Sequence, residues 1–169
     1  MPRTTKDGGL IQRATGVDTV VRITPTLDTS AYAQNDILFA VTELPDALIG
    51  GGGTVCWMSL RAWEKTGSAR AIRIMLLRSS TSVGAANASE NIADTAGLEI
   101  VAEVDITSGD WIAYANFGAV EKRPVDLGQI VKPTSGTSLY AAGKYTDATG
   151  DTFAASDLVL EFGFSPAVS

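Results

Sequence analysis

The sequence predicts an all-β fold: an antiparallel jelly roll or related β-sandwich, with one short helix and an extended N-terminal arm. Three observations lead there. Apolar side chains recur with period two and almost never with the helical period. The alternating stretches are short and rich in β-branched and aromatic residues. Clusters of Gly, Ser, Thr, Asp and Pro separate them, as turns between strands require.

Thr19-Val20-Val21-Arg22-Ile23-Thr24 is β-branched and stops at Pro25, which makes it the first strand. Residues 37–41 form a short apolar run before Pro45, and Gly50 to Gly53 mark a mobile loop. Residues 54–64 read as a long strand holding Trp57, Leu60 and Trp63, with Lys65-Thr66-Gly67-Ser68 as a hairpin turn into the next. In that next strand, residues 71–78, Ile72, Ile74 and Leu76 share one face while Arg73, Met75 and Leu77 share the other. Both faces are partly apolar, so the strand is predicted to be central. Asn87, with Glu90 three residues on, predicts the cap of one short helix that Gly97 ends. Ile100, Ala102, Val104 and Ile106 then alternate with Val101, Glu103 and Asp105 as a half-buried strand. A turn at Ser108-Gly109-Asp110 leads into a strand over 111–117. Residues 125–131 and 138–142 are weaker candidates, and the clearest strand is the last, with Leu158, Leu160, Phe162 and Phe164 on one side. Eight or nine such strands point to two packed sheets; a closed barrel fits the same spacing.

Residues 1–16 are read as the arm and 17–169 as a single β-sandwich domain, since no linker or fixed-period repeat interrupts the chain. A hydrophobic fraction of 45% against 19% charged residues is enough to build a core without covalent staples. The lone Cys56 allows no internal disulfide. No signal-like apolar stretch follows the opening Met1-Pro2-Arg3-Thr4-Thr5-Lys6, and no apolar run approaches a membrane span, so the prediction is a soluble chain with no membrane partner. A net charge of −6 opposes phosphate backbones, so no nucleic-acid partner is expected for the body. The arm differs locally: Arg3, Lys6 and Arg13 stand against Asp7 alone, and they are the candidate partner-binding residues.

Histidine is absent. That removes Ser-His-Asp and Cys-His catalysis together with His-ligated zinc, copper and haem. Carboxylate chemistry and hard cations are what remain. Glu103 and Asp105, with Glu99 nearby, offer paired carboxylates, yet alternation makes them the solvent face of a strand. Asp147, Thr149, Asp151 and Asp157 place oxygens in a loop, but Gly150 is misplaced for an EF-hand and the distal Glu is missing, so turn chemistry explains them. Gly50 to Gly53 lacks the Lys and Ser/Thr of a phosphate loop. Lys65-Thr66-Gly67 has no Ser-x-x-Lys to accompany it, and Asn87-Ala88-Ser89 reads as a cap rather than a glycosylation site. Trp57, Trp63 and Trp111 are read as core or interface residues, with ligand stacking as the alternative. No catalytic residue, cofactor site or metal site is assigned, and the chain is not expected to be an enzyme.

Three stretches carry a family resemblance: Ile23-Thr24-Pro25-Thr26-Leu27-Asp28-Thr29-Ser30-Ala31-Tyr32, then Asp36-Ile37-Leu38-Phe39, then Asp157-Leu158-Val159-Leu160-Glu161-Phe162-Gly163-Phe164. They resemble virion structural proteins of tailed bacteriophages, some of which are capsid decoration (cement) proteins. The likeness covers residues 20–165 and contains no catalytic signature. It implies a jelly-roll or sandwich domain, made in the host cytoplasm, that assembles as a homo-oligomer (a homotrimer in many such proteins). It also implies that the domain binds the major capsid protein on the outer surface of the virion and reinforces the shell. A tail, fibre or neck position is the alternative within the virion. A carbohydrate-binding β-sandwich is the alternative of another class.

Overall fold

The computed structural model describes residues 19–48, 53–122 and 130–167. The arm and its Arg3, Lys6 and Arg13, and Gly50 to Gly52 of the glycine run, lie outside them. In chain order the strands are β1 (Thr19–Ile23), β2 (Ile37–Leu44), β3 (Val55–Glu64), β4 (Ile72–Leu77), β5 (Ile100–Ile106), β6 (Ile112–Tyr114), β7 (Phe117–Lys122), β8 (Ile130–Val131), β9 (Leu139–Tyr145) and β10 (Leu158–Pro166). A four-residue helix, α1 (Asp94–Gly97), precedes β5. The larger sheet runs β1-β10-β3-β7-β6, with β8 beside the first two residues of β3; the smaller runs β2-β9-β4-β5. All pairings between these strands are antiparallel, and they nest as β1–β10, β2–β9, β3–β7 and β4–β5. A ribbon of paired strands wrapped in that order is a jelly roll, and a sandwich with two separate sheets is not a closed barrel.

The inward side chains of the two sheets form one core, with Trp57, Leu60, Ile72, Ile74, Leu158 and Phe162 among its buried members. A second cluster holds Ile37, Met75, Leu77, Val83 and Ala142, with Ile92 packed on it, beneath the connection from β4 to β5. The smaller sheet is therefore covered on its inner face and, around Met75 and Leu77, on part of its outer face. This explains why both faces of β4 are apolar, and β4 lies between β9 and β5 as expected.

Several local expectations are corrected. Lys65-Thr66-Gly67-Ser68 is not a hairpin turn, because β3 and β4 belong to different sheets and this segment crosses between them. Asn87 caps no helix. It sits at φ 54°, its backbone N–H donates to the Ile37 carbonyl at 2.8 Å, and its side chain donates to Asp28 at 3.0 Å. Helix α1 starts seven residues later without a side-chain cap and, as expected, ends at Gly97. Residues 111–117 do not continue as one strand, since the chain folds back after Tyr114 into the β6–β7 hairpin. The stretch read as a weak strand over 138–142 is the central β9; of the candidate over 125–131, Ile130–Val131 is a strand and residues 125–129 lie outside the described residues.

A buried polar knot anchors the crossover. Arg70 is 6% exposed and Glu64, at the inward-facing end of β3, is 1% exposed. The Arg70 guanidinium donates to Glu64 at 2.8 Å, to Asp151 at 2.6 Å and to the Thr152 carbonyl at 2.7 Å, and it lies 4.0 Å from the Phe153 ring centroid. Glu64 also accepts from the Thr66 hydroxyl and from the Ser68 N–H at 2.6 Å. Trp111 completes the knot by donating its indole N–H to the Arg70 carbonyl at 2.8 Å. Each of the three guanidinium nitrogens of Arg70 thus donates a hydrogen bond, as a desolvated guanidinium needs.

The knot gives the fold an acid-sensitive joint. The Arg70 hydrogen bond, helped by the Thr152 N–H, holds the Asp151 carboxyl below its ordinary range. The Lys122 contact does the same for Asp110, and local backbone donors do it for Asp28 and Asp147. A carboxylate whose folded pKa is depressed stabilises fully above its unfolded value and loses that contribution as pH falls through the folded one. Stability is therefore expected to decline below about pH 4, measured as a falling urea midpoint. Asp151→Asn should flatten that decline, and an unchanged slope in the variant counts against the assignment.

Candidate interaction surface

The residues singled out from sequence are not gathered by the fold. Glu103 and Asp105 share the outer face of edge strand β5, where Arg73 of β4 pairs with both, at 3.2 and 2.6 Å. Glu99 accepts from Thr134 at 2.8 Å and pairs with Arg78 at 3.4 Å. Asp147 accepts from the backbone and hydroxyl of Thr149 at 3.3 and 3.2 Å, which is turn chemistry, and Asp151 belongs to the knot. Asp157 accepts from the Ala154 N–H at 2.6 Å, closing its own turn. No three metal-ligating side chains converge among the described residues.

The three tryptophans separate. Trp57 is fully buried and stacks on Phe162 with centroids 5.7 Å apart, and Trp111 is buried under the knot. Trp63 lies on the outer face of the larger sheet. The six-residue spacing of Trp57 and Trp63 would put both on one face of a regular strand. Here Phe164 pairs with Trp57 but Gly163 pairs with Ser59, so Met58 is the extra residue of a β-bulge. The bulge keeps Trp57 and Leu60 inward and turns Trp63 outward.

Around Trp63 the outer face is ordered in rows across the strands. One row alternates in charge: Arg22 (β1), Glu161 (β10), Arg61 (β3) and Glu121 (β7) stand directly opposite one another in register. Arg22–Glu161 is 2.7 Å, Arg61–Glu161 3.6 Å and Arg61–Glu121 3.4 Å. The next row is apolar: Val159, Trp63, Ala119 and Ile112. Beyond it, Tyr114 and Phe117 pair across the hairpin and stack with centroids 4.5 Å apart. The Arg22 guanidinium joins the two rows, 5.5 Å from the Trp63 ring centroid. Ile112 is 62% exposed and Tyr114 53%, unusually open for such side chains. Small Ala119 between Trp63 and Ile112 leaves a hollow of about 220 Å³ there. A second hollow lies between Trp63, Phe117 and Val159.

This surface was not legible as a unit. Ile112, Tyr114 and Phe117 fall within a stretch that alternation reads as a single strand, and Asn116 is the one turn-forming residue that signals its reversal. Among the described residues this face presents aromatic side chains beside paired arginines, a composition suited to recognition.

No protein-family model matches the chain, and no curated protein matches it. Among solved structures, the chain is similar to one of Desmodium yellow mottle tymovirus, at 13% identity and a TM-score of 0.28 over 89% of each chain.

Proposed function

We propose that this chain is a virion structural protein of the capsid decoration type, which binds the major capsid lattice from outside and stabilises the head without catalysing a reaction. The observation that carries the reading is where the three phage-like stretches fall in the fold. Ile23 pairs with Leu160, the Leu27 N–H donates to the Ala155 carbonyl at 3.0 Å, and buried Tyr32 bridges to Asp151 and donates to the Leu38 carbonyl at 2.9 Å. The three stretches thus form one continuous seam where the chain passes from the larger sheet to the smaller. The scaffold that they build here is a jelly roll, an architecture recurrent in viral capsid and lectin domains. Passing from scaffold to role is an argument by analogy, supported by the residue-level resemblance.

The test is binding to capsids prepared without the protein. Co-sedimentation and a capsid melting temperature that rises with protein concentration are expected, since a ligand of the folded shell stabilises it by mass action. Absence of both sinks the reading, and labelled particles with density at the tail move the protein to the tail, fibre or neck. Deleting residues 1–16, with Arg3, Lys6 and Arg13, is expected to lower capsid occupancy at unchanged stability of the isolated sandwich. The carbohydrate reading now rests on Trp63, because Trp57 and Trp111 are core. Glycan binding by the isolated protein that Trp63→Ala abolishes would replace the capsid proposal.

A further inference from the structure

The outer face of the larger sheet is self-complementary, and we infer that it is the contact surface between two copies of this chain related by a two-fold axis. Consider a two-fold line lying in this face, parallel to the strands and midway between β3 and β7. It exchanges the β3 and β7 positions of facing copies, and likewise those of β10 and β6. At the two central strands, unlike groups then meet in both rows. Arg61 faces Glu121 of the second copy, and Glu121 faces its Arg61. In the apolar row, Trp63 faces Ala119 of the second copy, where the hollow flanked by Ile112 and Tyr114 receives the indole. Val159 faces Ile112. Lys65, which follows the Glu64–Gly118 pair and lines the second hollow together with Phe117, lays its aliphatic stem over the opposing Phe117 ring.

An interface of this kind requires each patch to complement itself about the axis. A large side chain over a small one, and plus over minus, at positions one strand either side of one line meets that requirement in two successive rows. A half-buried Trp with exposed Tyr, Phe and Ile beside Arg is also the composition of an interface centre rather than of a solvated sheet face. Four strands and three rows span roughly 19 by 20 Å, about 380 Å² per copy, which is below the range of stable complexes, so the pairing should be weak, reversible and concentration-dependent. It differs from the three-fold assembly that the phage resemblance implies, and the mass distinguishes them.

The experiment is sedimentation equilibrium of the full chain alone, from roughly 1 to 300 μM. No capsid is present, so its outcome is separate from that of the capsid-binding test. The expected result is reversible growth from 17.6 kDa to twice that mass. Ala119→Arg, which fills the hollow but can extend into solvent, should weaken association at least tenfold, as should Phe117→Ser. Ala40→Arg, on an exposed position of β2 in the other sheet, should not. Thermal unfolding of each variant confirms that the fold is kept. A monomer at every concentration, a trimer, or a dimer indifferent to both Ala119→Arg and Phe117→Ser overturns the inference.

Discussion

Arg70→Ala is expected to cost about 3–5 kcal/mol, the largest loss from any single charged side chain in this protein. The substitution leaves Glu64 as an uncompensated carboxylate that is 1% exposed, and it frees the Thr152 carbonyl that Arg70 satisfies. It also removes the cation from the Phe153 ring. For a domain of this length the loss corresponds to a melting temperature lower by roughly 6–20 °C. The double variant Glu64→Gln/Arg70→Met separates the two sources of that cost. Removing both charges deletes the desolvation penalty along with the attraction, so the double variant should be more stable than Arg70→Ala. Urea unfolding of the three proteins decides it. A loss below about 1 kcal/mol for Arg70→Ala would mean that water reaches Glu64 and that the knot is not closed.

Gly143→Ala is expected to be nearly as damaging, by packing rather than charge. Gly143 lies in central strand β9, and a Cβ there would meet the Phe39 ring at 2.2, 2.6 and 3.1 Å. Phe39 is fully buried, so its ring has no free volume to retreat into. Displacing it strains β2 or β9, at about 3 kcal/mol. Phe39→Leu should rescue part of that loss, because the shorter side chain vacates the ring position. The test is a double-mutant cycle. Additivity of Gly143→Ala and Phe39→Leu would show that the two residues do not compete for space.

Neither effect announces itself in the sequence. Gly143 lies just past the weak strand candidate read over 138–142, and only the arrival of β2, a hundred residues earlier, gives it a reason to be glycine. Arg70 and Glu64 look like solvated charges beside a turn. Their burial follows from the crossover between sheets, which brings the 146–157 loop over them from far along the chain. Ala69 next to them adopts φ 51°, a left-handed conformation that costs an L-residue about 1 kcal/mol and is held by the same contacts.

The class of fold and most of the strands were legible in the residues alone. Period-two alternation and turn residues are local properties, and β1, β3, β4, β5 and β10 could be read from them within a residue or two. The sequence also showed that this chain holds no histidine, so it supplies no histidine of its own to a triad or a metal site. Tertiary structure alone decided which face each side chain joins. One extra residue at Met58 sends Trp57 into the core and Trp63 to the surface. A reversal after Tyr114 turns one expected strand into the hairpin that completes the exposed apolar face. The reason is the same in both cases. Facing in a sheet depends on parity, so a single bulge or an unnoticed turn inverts every assignment beyond it, and only the pairing partners on neighbouring strands fix where that happens.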